Sequence, residues 1–128
     1  MIGYSCKYAT VELIQAYGGE ARLLDAEAAD FSAAETLTHA NLCCHAKALI
    51  QQAQGEEELV LTDCCDATRR AFDVLDAQKP RRFMFQFDLP HDDNGCARAR
   101  FARELCRFAK AYGAYRQSAF SVERFLSA

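Results

Sequence analysis

The sequence has no long apolar run. Its uninterrupted apolar stretches reach only about five residues, far short of the roughly 18 that a membrane-spanning helix needs. It has no excess of positive charge either: 15 basic residues stand against 18 acidic ones, for a net charge of −3. A broad nucleic-acid footprint is therefore excluded. No basic segment followed by an apolar one opens the chain, so secretion is not indicated and a cytoplasmic location is expected. There is no C-x₂-C pair, which argues against the usual structural zinc patterns. G-x-G-x-x-G and Walker A sequences are also missing, so no nucleotide-binding loop is indicated.

What is present suits one ordinary folded domain. The 128 residues are 51% hydrophobic and 26% charged, with nine Phe and five Tyr. That is enough apolar material for a single core and excludes general disorder.

Short strands alternate with helices along the chain. Met1–Cys6 reads as a first strand. Thr10–Tyr17 reads as a helix capped by Thr10 and ended by Gly18-Gly19. Ala21–Leu24 is a short second strand, followed by an acidic, alanine-rich loop over Asp25–Thr36 with one helical turn. A helix is expected from about Thr38 to Gln54, with Leu42, Ala46, Leu49, Ile50 and Ala53 as its apolar stripe. Glu58–Thr62 is a third strand, apolar enough to be buried on both faces. Asp63 is placed to cap the next helix, which runs from Cys64 to about Gln78. Arg82–Asp88 alternates Phe83, Phe85 and Phe87 as a fourth strand. A last long helix spans about Cys96 to Tyr112, and Ser121–Leu126 begins another. Strands separated by helices imply parallel crossovers. The expected fold is therefore α/β: a single domain over 1–128, with a three-layer open parallel sheet of about four strands and flanking helices.

The conspicuous residues are seven cysteines: Cys6, Cys43, Cys44, Cys64, Cys65, Cys96 and Cys106. An odd count with two adjacent pairs does not suit a disulfide framework. Three readings stay open: small buried hydrophobes, metal or cluster ligands, and reactive thiols. Ligands of open parallel sheets bind beyond the carboxyl ends of the strands. Cys6 ends the first strand there, and Asp63-Cys64-Cys65-Asp66 follows the third. Cys43 and Cys44 open the second helix, and the acidic loop is long enough to bring them to the same edge. Cys64 and Cys65 at a helix N-terminus meet unpaired N–H groups and a partial positive charge. That setting suits an anionic iron–sulfur cluster and equally a reactive thiol. A Cys/His nucleophile pair, such as Cys65 with His39 or His91, also stays open. Cys96, Cys106, His45, Arg69 and Arg70 read as packing or surface residues.

Four segments, taken together and in this order, carry a resemblance. They are Gly3-Tyr4-Ser5-Cys6-Lys7-Tyr8-Ala9-Thr10-Val11-Glu12-Leu13, Asn41-Leu42-Cys43-Cys44-His45-Ala46-Lys47-Ala48-Leu49, Leu61-Thr62-Asp63-Cys64-Cys65-Asp66-Ala67-Thr68-Arg69-Arg70, and Phe85-Gln86-Phe87-Asp88-Leu89-Pro90. The set resembles the N-terminal domain of the 2-hydroxyacyl-CoA dehydratase and benzoyl-CoA reductase subunit family, including its double-cubane-cluster relatives. The resemblance implies a cysteine-held [4Fe-4S] cluster that takes low-potential electrons from an ATP-dependent activator protein and acts on an acyl-CoA substrate. By position it implies Cys43 and Cys65 as ligands, with Cys64 and Cys6 as further candidates, and Cys44 as a bystander.

Members of that family are several-fold longer, with a second α/β domain that supplies a further ligand. Activity is therefore not expected of this chain alone. It should form a homo-oligomer or join a chain that carries the second domain. Some of Phe108, Tyr112, Tyr115, Phe120, Phe125 and Leu126 should then lie exposed. The alternative function is a small α/β interaction or redox-thiol domain whose cysteines are mainly packing residues.

Overall fold

A computed structural model describes residues 1–25, 27 and 30–128. Four strands, β1 (Ile2–Tyr4), β2 (Ala21–Leu23), β3 (Glu58–Thr62) and β4 (Phe83–Phe87), form one all-parallel sheet in the order β2-β1-β3-β4. Among the described residues six α-helices connect or follow them: α1 (Val11–Ala16), α2 (Ser32–Leu37), α3 (Cys44–Gln52), α4 (Asp66–Gln78), α5 (Gly95–Arg116) and α6 (Val122–Leu126). The three-layer α/β expectation holds.

Two apolar clusters sit on opposite faces of the sheet. On one, Ile14 of α1 and Phe108 and Tyr112 of α5 cover Ile2, Val60, Phe85 and Phe87. On the other, Ala34 of α2, Leu49 and Ile50 of α3, and Ala71 and Leu75 of α4 cover Leu24, Leu59 and Leu61. Val60 of β3 joins the first cluster and its neighbours Leu59 and Leu61 the second, and all five β3 residues are buried. From β1 the chain steps outward to β2, then crosses back past β1 to β3 and on to β4. The switch point where ligands collect in such sheets therefore lies between the carboxyl ends of β1 and β3.

Several local expectations are corrected. The first strand ends at Tyr4, and Cys6 instead opens a 3₁₀ turn over Lys7–Ala9. Thr10 does not cap α1: it adopts a left-handed φ of 45°, and its hydroxyl is buried without a partner. The second long helix starts at Cys44 instead of Thr38. Thr38 is bound back to α2, with both its N–H and its hydroxyl donated to the Ala34 carbonyl. Residues 39–42 then turn on His39, which accepts from Asn41 and Leu42.

In the acidic segment, α2 supplies the expected helical turn, while residues 26, 28 and 29 lie outside the described residues. At the C-terminal end, Phe108 and Tyr112 are core residues and Tyr115 is half-buried. Phe120, Phe125 and Leu126 are exposed, together with Val122. No helix among the described residues is long and apolar enough to cross a membrane.

Candidate functional site: a thiol pair at the start of α4

The loop Asp63–Cys65 leaves the central strand β3 at the switch-point edge. Asp63 was expected to cap the following helix, but its carboxylate is used elsewhere. It is 5% exposed, and its Oδ1 accepts the Leu89 N–H at 2.7 Å. Its Oδ2 accepts from Arg69 at 3.0 Å. The Asp63 N–H in turn reaches the Phe87 carbonyl at 3.0 Å. A residue tied this way to the loop after β4 cannot turn back onto α4, so the cap falls two residues later.

The cap of α4 is Cys65, in extended backbone, with its Sγ accepting from the Thr68 N–H. Thr68 answers reciprocally. Its Oγ1 accepts the Cys65 N–H at 3.2 Å and donates to the Cys65 carbonyl at 2.8 Å. This is a capping box with sulfur in the serine position. The same hydroxyl also lies 3.7 Å from Cys65 Sγ and 3.7 Å from Cys64 Sγ. The two sulfurs therefore stand no farther apart than twice that distance. Thr68 itself is buried, whereas both thiols are exposed.

The Cys65 thiol is held below its ordinary value. The Thr68 N–H that points at the sulfur is the largest cause; burial works the other way, and the Thr68 hydroxyl adds a smaller favourable contribution. An N–H donor at a helix start stabilises the thiolate over the thiol. Arg69 adds positive charge at the first turn, bridging Asp63 and, at 3.8 Å, Asp66.

The other cysteines are distributed as follows. Cys43 caps α3 by position only, without a side-chain bond, and is exposed beside Cys44. Because α3 runs down into β3, its first residues lie towards the carboxyl edge of the sheet. Cys6 is half-buried just after β1 at the same edge. Cys96 and Cys106 are exposed on α5. None of the seven cysteines is buried, so the reading of them as core-packing residues fails.

Soft thiolate donors suit iron–sulfur clusters, zinc or copper(I) better than hard cations. In chemistry, then, the donor set fits a thiophilic group. In number it is partial, because no three His, Cys, Asp or Glu side chains converge among the described residues. Cys64 and Cys65 are brought together around Thr68; Cys43 and Cys6 share their edge of the sheet without completing a three-ligand set.

Sequence reasoning missed Thr68, although Cys-x-x-Thr matches the spacing of a capping box. It also missed the ion-paired groove along the free edge of β4. There Asp88 pairs with Arg100, Glu104 pairs with Arg107, and Asp63 and Arg69 close the end nearest the thiols. The Arg100 bond holds the Asp88 carboxyl below its usual range, and the Arg107 bond does the same for Glu104.

No curated protein matches this chain. The model of one protein family, described as 2-hydroxyglutaryl-CoA dehydratase, D-component, matches residues 6–128. That span includes all seven cysteines and the strands β2, β3 and β4, and begins just after β1. The fold and this match together place the chain in one family: it belongs to the 2-hydroxyglutaryl-CoA dehydratase D-component family.

Proposed function

We propose that this chain contributes thiolate ligands to a [4Fe-4S] cluster in a dehydratase system acting on 2-hydroxyacyl-CoA thioesters. Cys65 is the principal ligand of α4, Cys64 stands beside it, and Cys43 and Cys6 are the further ligands of this chain. The convergence of Cys64 and Cys65 on one hydroxyl, at the carboxyl edge of a parallel sheet, carries this reading. Membership of the family supports it.

Each neighbouring residue has a defined role in this reading. The N-terminus of the 13-residue α4 directs unpaired N–H groups and its partial positive charge toward an anionic group. Asp63 anchors the loop to the fourth strand, so the sulfurs are presented from a fixed base. Arg69 offsets negative charge at the first turn. A bound cluster would supply low-potential electrons for removal of the 2-hydroxyl group. A pair of thiolates leaves a cubane two ligands short, so Cys43, Cys6 or a partner chain completes the shell. The partners in this reading are a chain carrying the second domain and an ATP-dependent activator protein.

The test is anaerobic reconstitution with ferrous iron and sulfide, followed by iron analysis and visible absorption. Wild-type protein takes up iron, and Cys65→Ser and Cys43→Ser lose most of it. Cys96→Ser and Cys106→Ser keep it. Unchanged iron in Cys65→Ser refutes the assignment. A second reading, a redox-thiol domain, draws on the exposure of Cys65 and its lowered pKa. In that case the wild type takes up no iron, yet Cys65 reacts faster than the other thiols.

A further inference from the structure

We infer that Thr68 is the positioning residue of the thiol pair: its single hydroxyl holds Cys64 and Cys65 in place and becomes a hydrogen-bond donor to sulfur once they ligate a soft metal. The inference rests on the reading of Cys64 and Cys65 as ligands and adds the group that organises them.

The reasoning is a count of donors and acceptors. A threonine hydroxyl has one proton to give and two lone pairs to accept with. Around Thr68 Oγ1 stand four groups: the Cys65 carbonyl at 2.8 Å, the Cys65 N–H at 3.2 Å, and the two sulfurs at 3.7 Å each. With both thiols protonated, the proton goes to the carbonyl. The Cys65 N–H and two S–H donors then compete for two lone pairs. A sulfur that ligates a metal carries no proton, so both S–H donors disappear and two sulfur acceptors replace them. The hydroxyl proton can then turn from the carbonyl to a sulfur.

The turn leaves no orphan. The Cys65 carbonyl keeps a second donor, the Arg69 N–H at 3.2 Å. The Cys65 N–H stays on Oγ1. Thr68 is 2% exposed, so water does not readily substitute for its hydroxyl. Outer hydrogen bonds of this kind orient metal ligands and tune the bound group.

The experiment compares wild type, Thr68→Val, Thr68→Ser and Cys65→Ser in the full chain. The probes are cadmium(II) alone, read by thiolate-to-metal charge-transfer absorption, and anaerobic loading with ferrous iron and sulfide. Valine keeps the shape of threonine without the hydroxyl, and serine keeps the hydroxyl. Thr68→Val should bind cadmium about 10- to 100-fold more weakly, the range found for lost outer-shell partners. In iron-loaded protein its reduction potential should move to more negative values, because a donor to sulfur favours the reduced state. Thr68→Ser should restore both.

Far-ultraviolet dichroism and the urea midpoint show whether each variant is folded. A purely structural role would lower the urea midpoint and leave cadmium affinity unchanged, and this result overturns the inference. If the wild type takes up no iron but Thr68→Val still weakens cadmium binding, the cluster reading fails and the role of Thr68 stands. If iron loads normally and Thr68→Val matches wild type with both metals, the role of Thr68 fails and the cluster reading stands.

Discussion

The carboxylate of Asp63 accepts the backbone N–H of Leu89 at 2.7 Å, joining the loop after β3 to the loop after β4. Asp63→Ala would leave that buried N–H without an acceptor, at a cost of about 1–3 kcal/mol. Asp63→Asn keeps an acceptor and loses only the ion pair with the half-exposed Arg69, which is worth about 0–1 kcal/mol. Urea unfolding should rank wild type, Asn and Ala in that order. Equal midpoints for Asn and Ala would show that the Leu89 bond does not hold the loop.

Cys65 allows fold and ligation to be separated. Cys65→Ala removes the cap of α4 and should lower stability by about 1 kcal/mol. Cys65→Ser supplies a favoured capping oxygen, so its stability should stay within about 0.5 kcal/mol of wild type. Only the serine variant can therefore report loss of iron without loss of structure. A serine variant as unstable as the alanine one would contradict the capping geometry.

The pH dependence of Cys65 has a definite sign. Its pKa in the folded chain lies below the ordinary 9.0, chiefly because of the Thr68 N–H. The stability this contributes is fully present above pH 9.0 and is lost as pH falls through the folded value. Alkylation of folded protein, read peptide by peptide, should reach half its maximal rate at Cys65 at a lower pH than in urea-unfolded protein. Identical profiles in the two states would refute the N–H contact.

The aromatic core is the most costly place to cut. Phe108 is fully buried against Phe83, Phe85, Phe87 and Tyr112, with ring centroids 5.1–6.3 Å away. Phe108→Ala should destabilise by about 3–5 kcal/mol, measured as a drop in the urea midpoint. A loss below about 1 kcal/mol would mean that α5 does not seal this face.

The sheet was legible in the sequence because Glu-Leu-Val-Leu-Thr and the Phe83, Phe85, Phe87 alternation encode strands in side chains alone. Helix starts were less legible because distant partners decide them. Thr38 closes α2 instead of opening α3, and Asp63 is taken by Leu89. Which side of the sheet each helix covers followed from neither periodicity nor caps. In the site, the adjacent cysteines drew attention by composition. Thr68 did not, since a threonine three residues into a helix looks like an ordinary capping partner until two sulfurs are found beside its oxygen.

The strand order also governs when the site can come into being. β1 is made early, yet its Gly3 pairs with Leu59, more than fifty residues later. Until β3 emerges, β1 has only β2 as a neighbour, and one of its edges stays open. Pairings between such distant segments are slow to form. The step that inserts β3 into the middle of the sheet also sets Asp63, Cys64 and Cys65 at its edge, and α4 must follow before Thr68 can meet the sulfurs. The place of the thiol pair at the sheet edge thus depends on this long-range pairing, whereas its contacts with Thr68 are local to the start of α4.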